Sequence, residues 1–300
     1  MRNLAALALA VSLSGQIREH KAPGKELPHD RYLRVVSEKQ SPVETAYIKT
    51  KDGLYVAAAI RRPSAEGRFP AVVYFHGAPG GRGMEKLVSW SRGETGSPVW
   101  ERLLSERYVV VIADYRNNAT ARDDIIEGPR VSYVDDGAAV LEYVRKLPYV
   151  KPESIALYGV SRGGNLAVHL AGRIKVAATI LGAPAVTGLF GVERRPANSD
   201  PAKRYQDVKL NADHARSRIG GLQGPVLILV GTKDSLLEVD RALYYLLATS
   251  GKKVQLEIYE NGYHDFCIGP QGNAGFHQPL TDATLAALEL TIEFLEKYVN

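Results

Sequence analysis

The octapeptide "LYGVSRGG", Leu157 to Gly164, sets Ser161 between glycines two residues to either side. A serine hydroxyl is a weak nucleophile at neutral pH. It attacks a carbonyl only when a base takes its proton and an acid orients that base. The bare pattern is weak, because a chain with 28 glycines and 16 serines contains it by chance in roughly one case in seven. Context is more informative. A strand-like run, "IALYG", precedes Ser161, and a helical run, "RGGNLAVHLAG", follows it. A serine at such a strand-to-helix turn is held strained with its oxygen exposed. Gly159 and Gly163 then avoid collisions as the helix folds back on the strand.

In α/β sheets the order of such groups is serine, acid, histidine. The strand-like "PVLILVG" ends in "TKDS", which puts Asp234 at a carboxyl strand end. The next run, "VQLEIYE", leads into "NGYHDF", which puts His264 in a glycine-containing loop at the same edge. The rivals fit less well. His169 lies inside the helix after the serine as a packing residue, His214 belongs to an irregular insertion, and His277 follows no strand end. Glu238 falls in the first turn of the next helix, and Asp265, adjoining the histidine, is expected to point elsewhere. Acyl transfer also needs donors for the developing oxyanion, each worth roughly a hundredfold or more in rate. The backbone N–H of Arg162 is one candidate. The other comes from "HGAPGG", at Ala78 or a neighbour, where glycines let the backbone approach a ligand. That string lacks the spacing of a phosphate loop.

Apolar, β-branched runs at Leu54 to Ile60, Pro70 to Gly77, Tyr108 to Tyr115, Ile155 to Gly159, Val176 to Pro184, Pro225 to Gly231 and Val254 to Glu260 read as strands. Several lack alternation, the mark of strands covered on both faces. Helical patterns fill the gaps, with Val134, Ala138, Leu141 and Val144 on one face and Leu285, Leu288, Ile292, Leu295 and Val299 on another. Strand and helix in alternation imply a doubly wound, mostly parallel α/β sheet with helices on both faces. Two excursions interrupt it. Ala78 to Gly96 carries Trp90, and Ala185 to Leu222 carries Arg194, Arg195, Lys203, Arg204, Arg216 and Arg218. Both leave carboxyl strand ends, where binding crevices form, and read as functional loops or a small cap. A solvated surface insertion is the equal alternative for the second.

The composition, 45% hydrophobic and 24% charged, is that of a globular enzyme. A net charge of +5 without a basic block argues against a nucleic-acid partner. The lone Cys267 rules out an internal disulfide framework, gives no metal-site spacing and reads as a buried thiol rather than a nucleophile. Residues 1–15, with Arg2, an apolar run from Leu4 to Leu13 and small residues after it, read as a secretory signal cleaved after Ser14 or Gly15. An ordinary first helix, leaving the protein cytoplasmic, is the alternative. The run is too short to span a bilayer, and no stable membrane insertion is expected. Residues 16–46 read as an irregular leader and 47–300 as one catalytic domain.

The strings "PAVVYFHGAPGG", "VVVIADYRN", "VDDGAAVLEYVRKLPYVKPESIALYGVSRGG", "GPVLILVGTKD" and "ENGYHDF" together resemble the catalytic domain of prolyl-oligopeptidase-type and dienelactone-hydrolase-type α/β hydrolases. The likeness runs from about Tyr47 to Val299, in the family's order. It implies a triad of Ser161, Asp234 and His264, with no metal and no dissociable cofactor. The chain departs from those peptidases in several ways. A preceding propeller has no room, no tyrosine oxyanion donor can be placed in "HGAPGG", the residue after the serine is Arg162 rather than an aromatic, and no double-glutamate element is present. Each departure moves the expectation from peptide toward ester substrates, with a small ester or short peptide as partner. A non-catalytic binding module on the same fold is the remaining reading. For the Arg162 side chain the choice is between a substrate carboxylate and an ordinary structural pairing.

Overall fold

The computed structural model describes residues 15–21, 41–94, 97–116, 133–192, 205, 208–269 and 281–300. The strands expected from the apolar runs form as β3 (Tyr55–Arg61), β4 (Phe69–Phe75), β5 (Val109–Ala113), β6 (Val150–Val160), β7 (Ala178–Gly182), β8 (Val226–Gly231) and β9 (Val254–Tyr259). Two more join them, β1 (Gly15–His20) and β2 (Glu44–Lys49). The described helices are α1 (Met84–Ser91), α2 (Val99–Ser105), α3 (Tyr133–Arg145), α4 (Arg162–Ala171), α5 (Ala212–Ile219), α6 (Leu237–Thr249) and α7 (Asp282–Tyr298).

All nine strands form one sheet in the order β1-β9-β8-β7-β6-β4-β5-β3-β2. It is parallel from β1 through β5, and antiparallel only where β3 meets β5 and β2 meets β3. Each parallel strand offers one set of side chains to each face, as the missing alternation implies. Val73, Phe75, Val111 and Leu157 face the core built with α3, α4, α5 and α6. Val72, Tyr74, Ile112 and Tyr158 face the core built with α1, α2 and α7.

The irregular leader expected over residues 16–46 is ordered in part. Gly15–His20 pairs in parallel with β9, from Gly15 opposite Val254 to His20 opposite Tyr259. The His20 ring stacks on Tyr259 with centroids 4.4 Å apart. A polar segment with little apolar signal becomes a strand because β9 otherwise leaves a row of backbone groups unpaired. The excursion at Ala78 to Gly96 is also more than a loop. It folds into α1, and Leu87 and Trp90 are fully buried. In the Arg-rich excursion, Leu189, Phe190, Ala215 and Ile219 are buried, and Arg216 pairs with Asp213 at 2.7 Å. Arg194, Arg195, Lys203 and Arg204 lie outside the described residues, as do residues 1–14 and His277.

The connections make one crevice. From β4 the chain moves outward to β5, and from β6 it moves the other way to β7. The carboxyl ends of β4 and β6 are neighbours whose connections diverge, the switch point at which open α/β sheets bind ligands.

Candidate active site

Ser161 lies at that point, between the last residue of β6 and the first of α4. Its backbone has φ 54° and ψ −118°, a conformation a non-glycine residue holds only when its surroundings dictate it. They do so through three hydrogen bonds. The Ser161 N–H donates to Gly182 O at 2.9 Å, and its carbonyl accepts from Asn165 N–H at 3.1 Å and Ala185 N–H at 2.8 Å. Both flanking glycines are required by space. A Cβ on Gly159 would overlap the Gly163 carbonyl, the strand-against-helix collision the sequence implies. A Cβ on Gly163 would overlap the carbonyl of Phe75 at the end of β4, a neighbour that only the sheet order reveals.

Asp234 and His264 leave the ends of β8 and β9, which are adjacent and parallel. Their loops are joined before either side chain is reached. Lys233 N–H donates to Gly262 O at 3.0 Å, and Asn261 N–H donates to Thr232 Oγ1 at 2.9 Å. Asp234 Oδ2 then lies 2.7 Å from His264 Nδ1, and Asp234 Oδ1 accepts the Leu236 N–H at 2.9 Å. The carboxylate is 1% exposed and the imidazole 39%, so a buried acid holds a partly exposed ring. The histidine loop is fixed beneath by buried Phe266, Cys267 and Ile268, with Ser97 Oγ donating to Ile268 O at 2.5 Å and Tyr158 OH to Cys267 O at 3.3 Å. Burial pushes the Cys267 thiol up to about 12, which suits a structural sulfur and not a nucleophile.

Asp265 corrects its expectation. Its backbone is left-handed, φ 66°, and this turns the side chain back toward the imidazole. Oδ1 lies 3.2 Å from His264 Nε2. Oδ2 lies 3.8 Å from the Cβ position of Gly77, which is itself 3.4 Å from Ser161 Cβ. The carboxyl therefore stands beside the imidazole, on the side of Ser161.

The loop after β4 is held by residues that motif reading passed over. Asp114, at the end of β5, accepts from Gly81 N–H and Tyr115 N–H through Oδ1, both at 2.8 Å, and from Gly83 N–H through Oδ2 at 2.8 Å. His76 Nε2 lies 3.1 Å from the same Oδ1, and Tyr115 OH donates to His76 O at 2.8 Å. Burial alone would raise the Asp114 carboxyl, but the His76 and backbone hydrogen bonds hold it below the ordinary value. Arg116 extends the clamp by donating through its N–H and Nε to Asp136 on α3, each at 2.9 Å. The string "ADYR" at a strand end was the available signal. Ala78 follows in the clamped loop, and Arg162 opens α4, where N–H groups lack helical partners. The Arg162 guanidinium stands 5.6 Å over the Tyr133 ring, a cation–π contact within the wall.

Of the rival histidines, the described ones, His169 and His214, stay apart from this cluster. His169 is buried in α4, and burial, then Arg173 and Arg218, lower it to about 3. His214 Nδ1 lies 3.1 Å from Leu189 O. Glu238 opens α6 and pairs loosely with Arg241. Among the described residues no group of three His, Cys, Asp or Glu side chains is arranged to hold a metal ion, and no helix is long and apolar enough to cross a membrane.

A family profile described as alpha/beta hydrolase fold matches residues 105–268, more than half of the chain. An uncharacterized peptidase of Bacillus subtilis, YuxL, is 25% identical over 248 residues, covering 75% of this chain and 35% of that protein. Human alpha/beta hydrolase domain-containing protein 17B is 35% identical over 112 residues, 37% of this chain and 35% of its own. The chain spans about a third of the length of these curated relatives. Among solved structures, an esterase of Pyrobaculum calidifontis superposes with TM-score 0.62 at 22% identity, over 91% of this chain and 90% of that one. Porphyromonas gingivalis dipeptidyl peptidase 4 superposes with TM-score 0.62 at 21% identity, over 88% of this chain and 37% of that one.

Proposed function

Since the chain belongs to the α/β-hydrolase fold family, we propose that it is a serine hydrolase that cleaves carboxylic esters through an acyl-enzyme. The carrying observation is the 2.7 Å pairing of Asp234 with His264, together with a serine held at positive φ on the strand-to-helix turn. Similarity over most of its length to an esterase of comparable size supports the ester reading.

His264 Nε2 takes the Ser161 proton as Oγ bonds to the ester carbonyl carbon. Asp234 keeps Nδ1 protonated and steadies the imidazolium that forms. The N–H groups of Arg162 and Ala78 receive the oxyanion, the latter on the loop clamped by Asp114 and Tyr115. The carbon–oxygen bond to the alcohol breaks, and His264 returns its proton to the leaving oxygen. His264 then takes a proton from water, hydroxide adds to the acyl carbon, and the proton passes back to Ser161 as the acid departs. Purified Ser161→Ala protein, assayed on short p-nitrophenyl esters, tests this. Loss of at least a thousandfold in kcat supports it, and unchanged hydrolysis rejects it.

Cleavage of amides by the same groups is the second reading, favoured by similarity to peptidases. Aminoacyl anilides hydrolysed faster than matched esters would put it first. We also propose that residues 1–15 direct export. Cleavage after Ser14 would leave β1 whole, and N-terminal sequencing of protein recovered outside the cytoplasm checks the site.

A further inference from the structure

We propose that Asp265 is a second positioning residue for the base, gripping His264 from the nucleophile side so that the imidazole works between two carboxyl groups. The inference rests on the serine-hydrolase reading and concerns the same histidine.

The geometry carries it. His264 is contacted at Nδ1 by Asp234, 2.7 Å away, and at Nε2 by Asp265, 3.2 Å away. The second contact has ion-pair distance without hydrogen-bond alignment, and Asp265 Oδ1 is buried with no hydrogen-bond partner. An unmatched acceptor beside the reactive nitrogen is costly unless a proton donor comes to it. The left-handed backbone at Asp265 is a second cost, maintained by buried Phe266, Cys267 and Ile268 and by the Ile268 N–H donating to Asp265 O at 3.1 Å.

The charged and titratable groups facing Asp265 come from each element around it. Asp234 stands at the end of β8, Arg82 on the loop after β4, His264 on its own loop and the Cys267 thiol in the turn that follows. Burial raises the Asp265 carboxyl and the Asp234 charge adds to this, while His264 and Arg82 pull the other way. The balance leaves it above the ordinary carboxylate value. At 3.2 Å the charge on either group is felt by the other. When Asp265 is ionised it favours the imidazolium, so His264 gives up its proton, and becomes a base, only at higher pH. Removing the Asp265 charge moves that event to lower pH.

The test is Asp265→Asn, a substitution the left-handed backbone tolerates, with Asp265→Gly as a second variant should the first fail to fold. The His264 imidazole is titrated by NMR in folded protein, its signal among the seven histidines assigned by its loss in His264→Gln. The expected result is a fall of about one pH unit in the His264 midpoint, with the same fall in the acid limb of kcat/KM for p-nitrophenyl acetate. An unmoved NMR midpoint overturns the role of Asp265. That titration needs no turnover, so it decides the matter even if Ser161→Ala protein stays active and the hydrolase reading fails.

Discussion

Asp234 Oδ2 and His264 Nδ1 meet at 2.7 Å because their loops are already hydrogen-bonded to each other through Lys233 and Gly262. The pairing is thus a property of two adjacent strand ends more than of two mobile side chains. Asp234→Asn keeps an acceptor for the Leu236 N–H but removes the charge that fixes the imidazole. Turnover of p-nitrophenyl esters is expected to fall by about 10³–10⁴ with the melting temperature nearly unchanged. A loss below tenfold would assign the orienting role to another acid.

Gly163 tests the turn itself. An added methyl would overlap the Phe75 carbonyl and press on the His76 carbonyl, both backbone atoms that cannot swing aside. Gly163→Ala is expected to cost about 1–3 kcal/mol in urea unfolding and to abolish hydrolysis, since the turn carrying Ser161 must shift. Full activity in this variant would show that the turn can move without harm.

Asp114→Asn loosens the loop that carries Ala78, and kcat is expected to drop about a hundredfold with KM less affected. The pH dependence has a definite sign. The folded carboxyl lies below the 3.8 of an unperturbed Asp, so its stabilisation is present above about pH 4 and is lost as pH falls through the folded value. Urea unfolding below pH 4 is therefore expected to be less pH-sensitive in Asp114→Asn than in the wild type. Equal slopes would remove Asp114 from the account.

His169 adds a second acid-side loss, beginning at higher pH. Burial in α4 lowers it from 6.5 to about 3, so below pH 6.5 the unfolded chain binds a proton that the folded chain refuses. Stability falls through this window, by about 2 kcal/mol at pH 5. In His169→Leu this part of the loss should disappear from urea unfolding between pH 6.5 and 4. An unchanged curve would mean that the ring is hydrated in the native state.

The serine turn was legible because its signal is local: strand, serine and helix follow one another, and Gly159 answers to a close approach within the turn, although Gly163 answers to the distant Phe75 carbonyl. The acid and the histidine were legible because parallel strands end at one edge, which places Asp234 and His264 together once "PVLILVG" and "VQLEIYE" read as neighbours. Asp114 and Tyr115 were not. Their importance depends on β5 lying beside β4, and no pattern within "VVVIADYRN" states which strand is adjacent. Asp265 was misread for a related reason. Adjacency in sequence suggests that it diverges from His264, and a positive φ reverses this.

By itself the sequence determined the residue types, their order and the alternation of strand and helix. These follow from local periodicity and from where glycine is sterically needed, and they were enough to single out Ser161, Asp234 and His264 as candidates. The tertiary structure alone decided which strand ends are neighbours. That choice recruits Gly15–His20 to cover the edge of β9, buries Trp90, sets Phe75 against Gly163 and turns a second carboxyl toward His264. Each is a meeting of segments far apart in the chain, fixed by sheet order and backbone conformation.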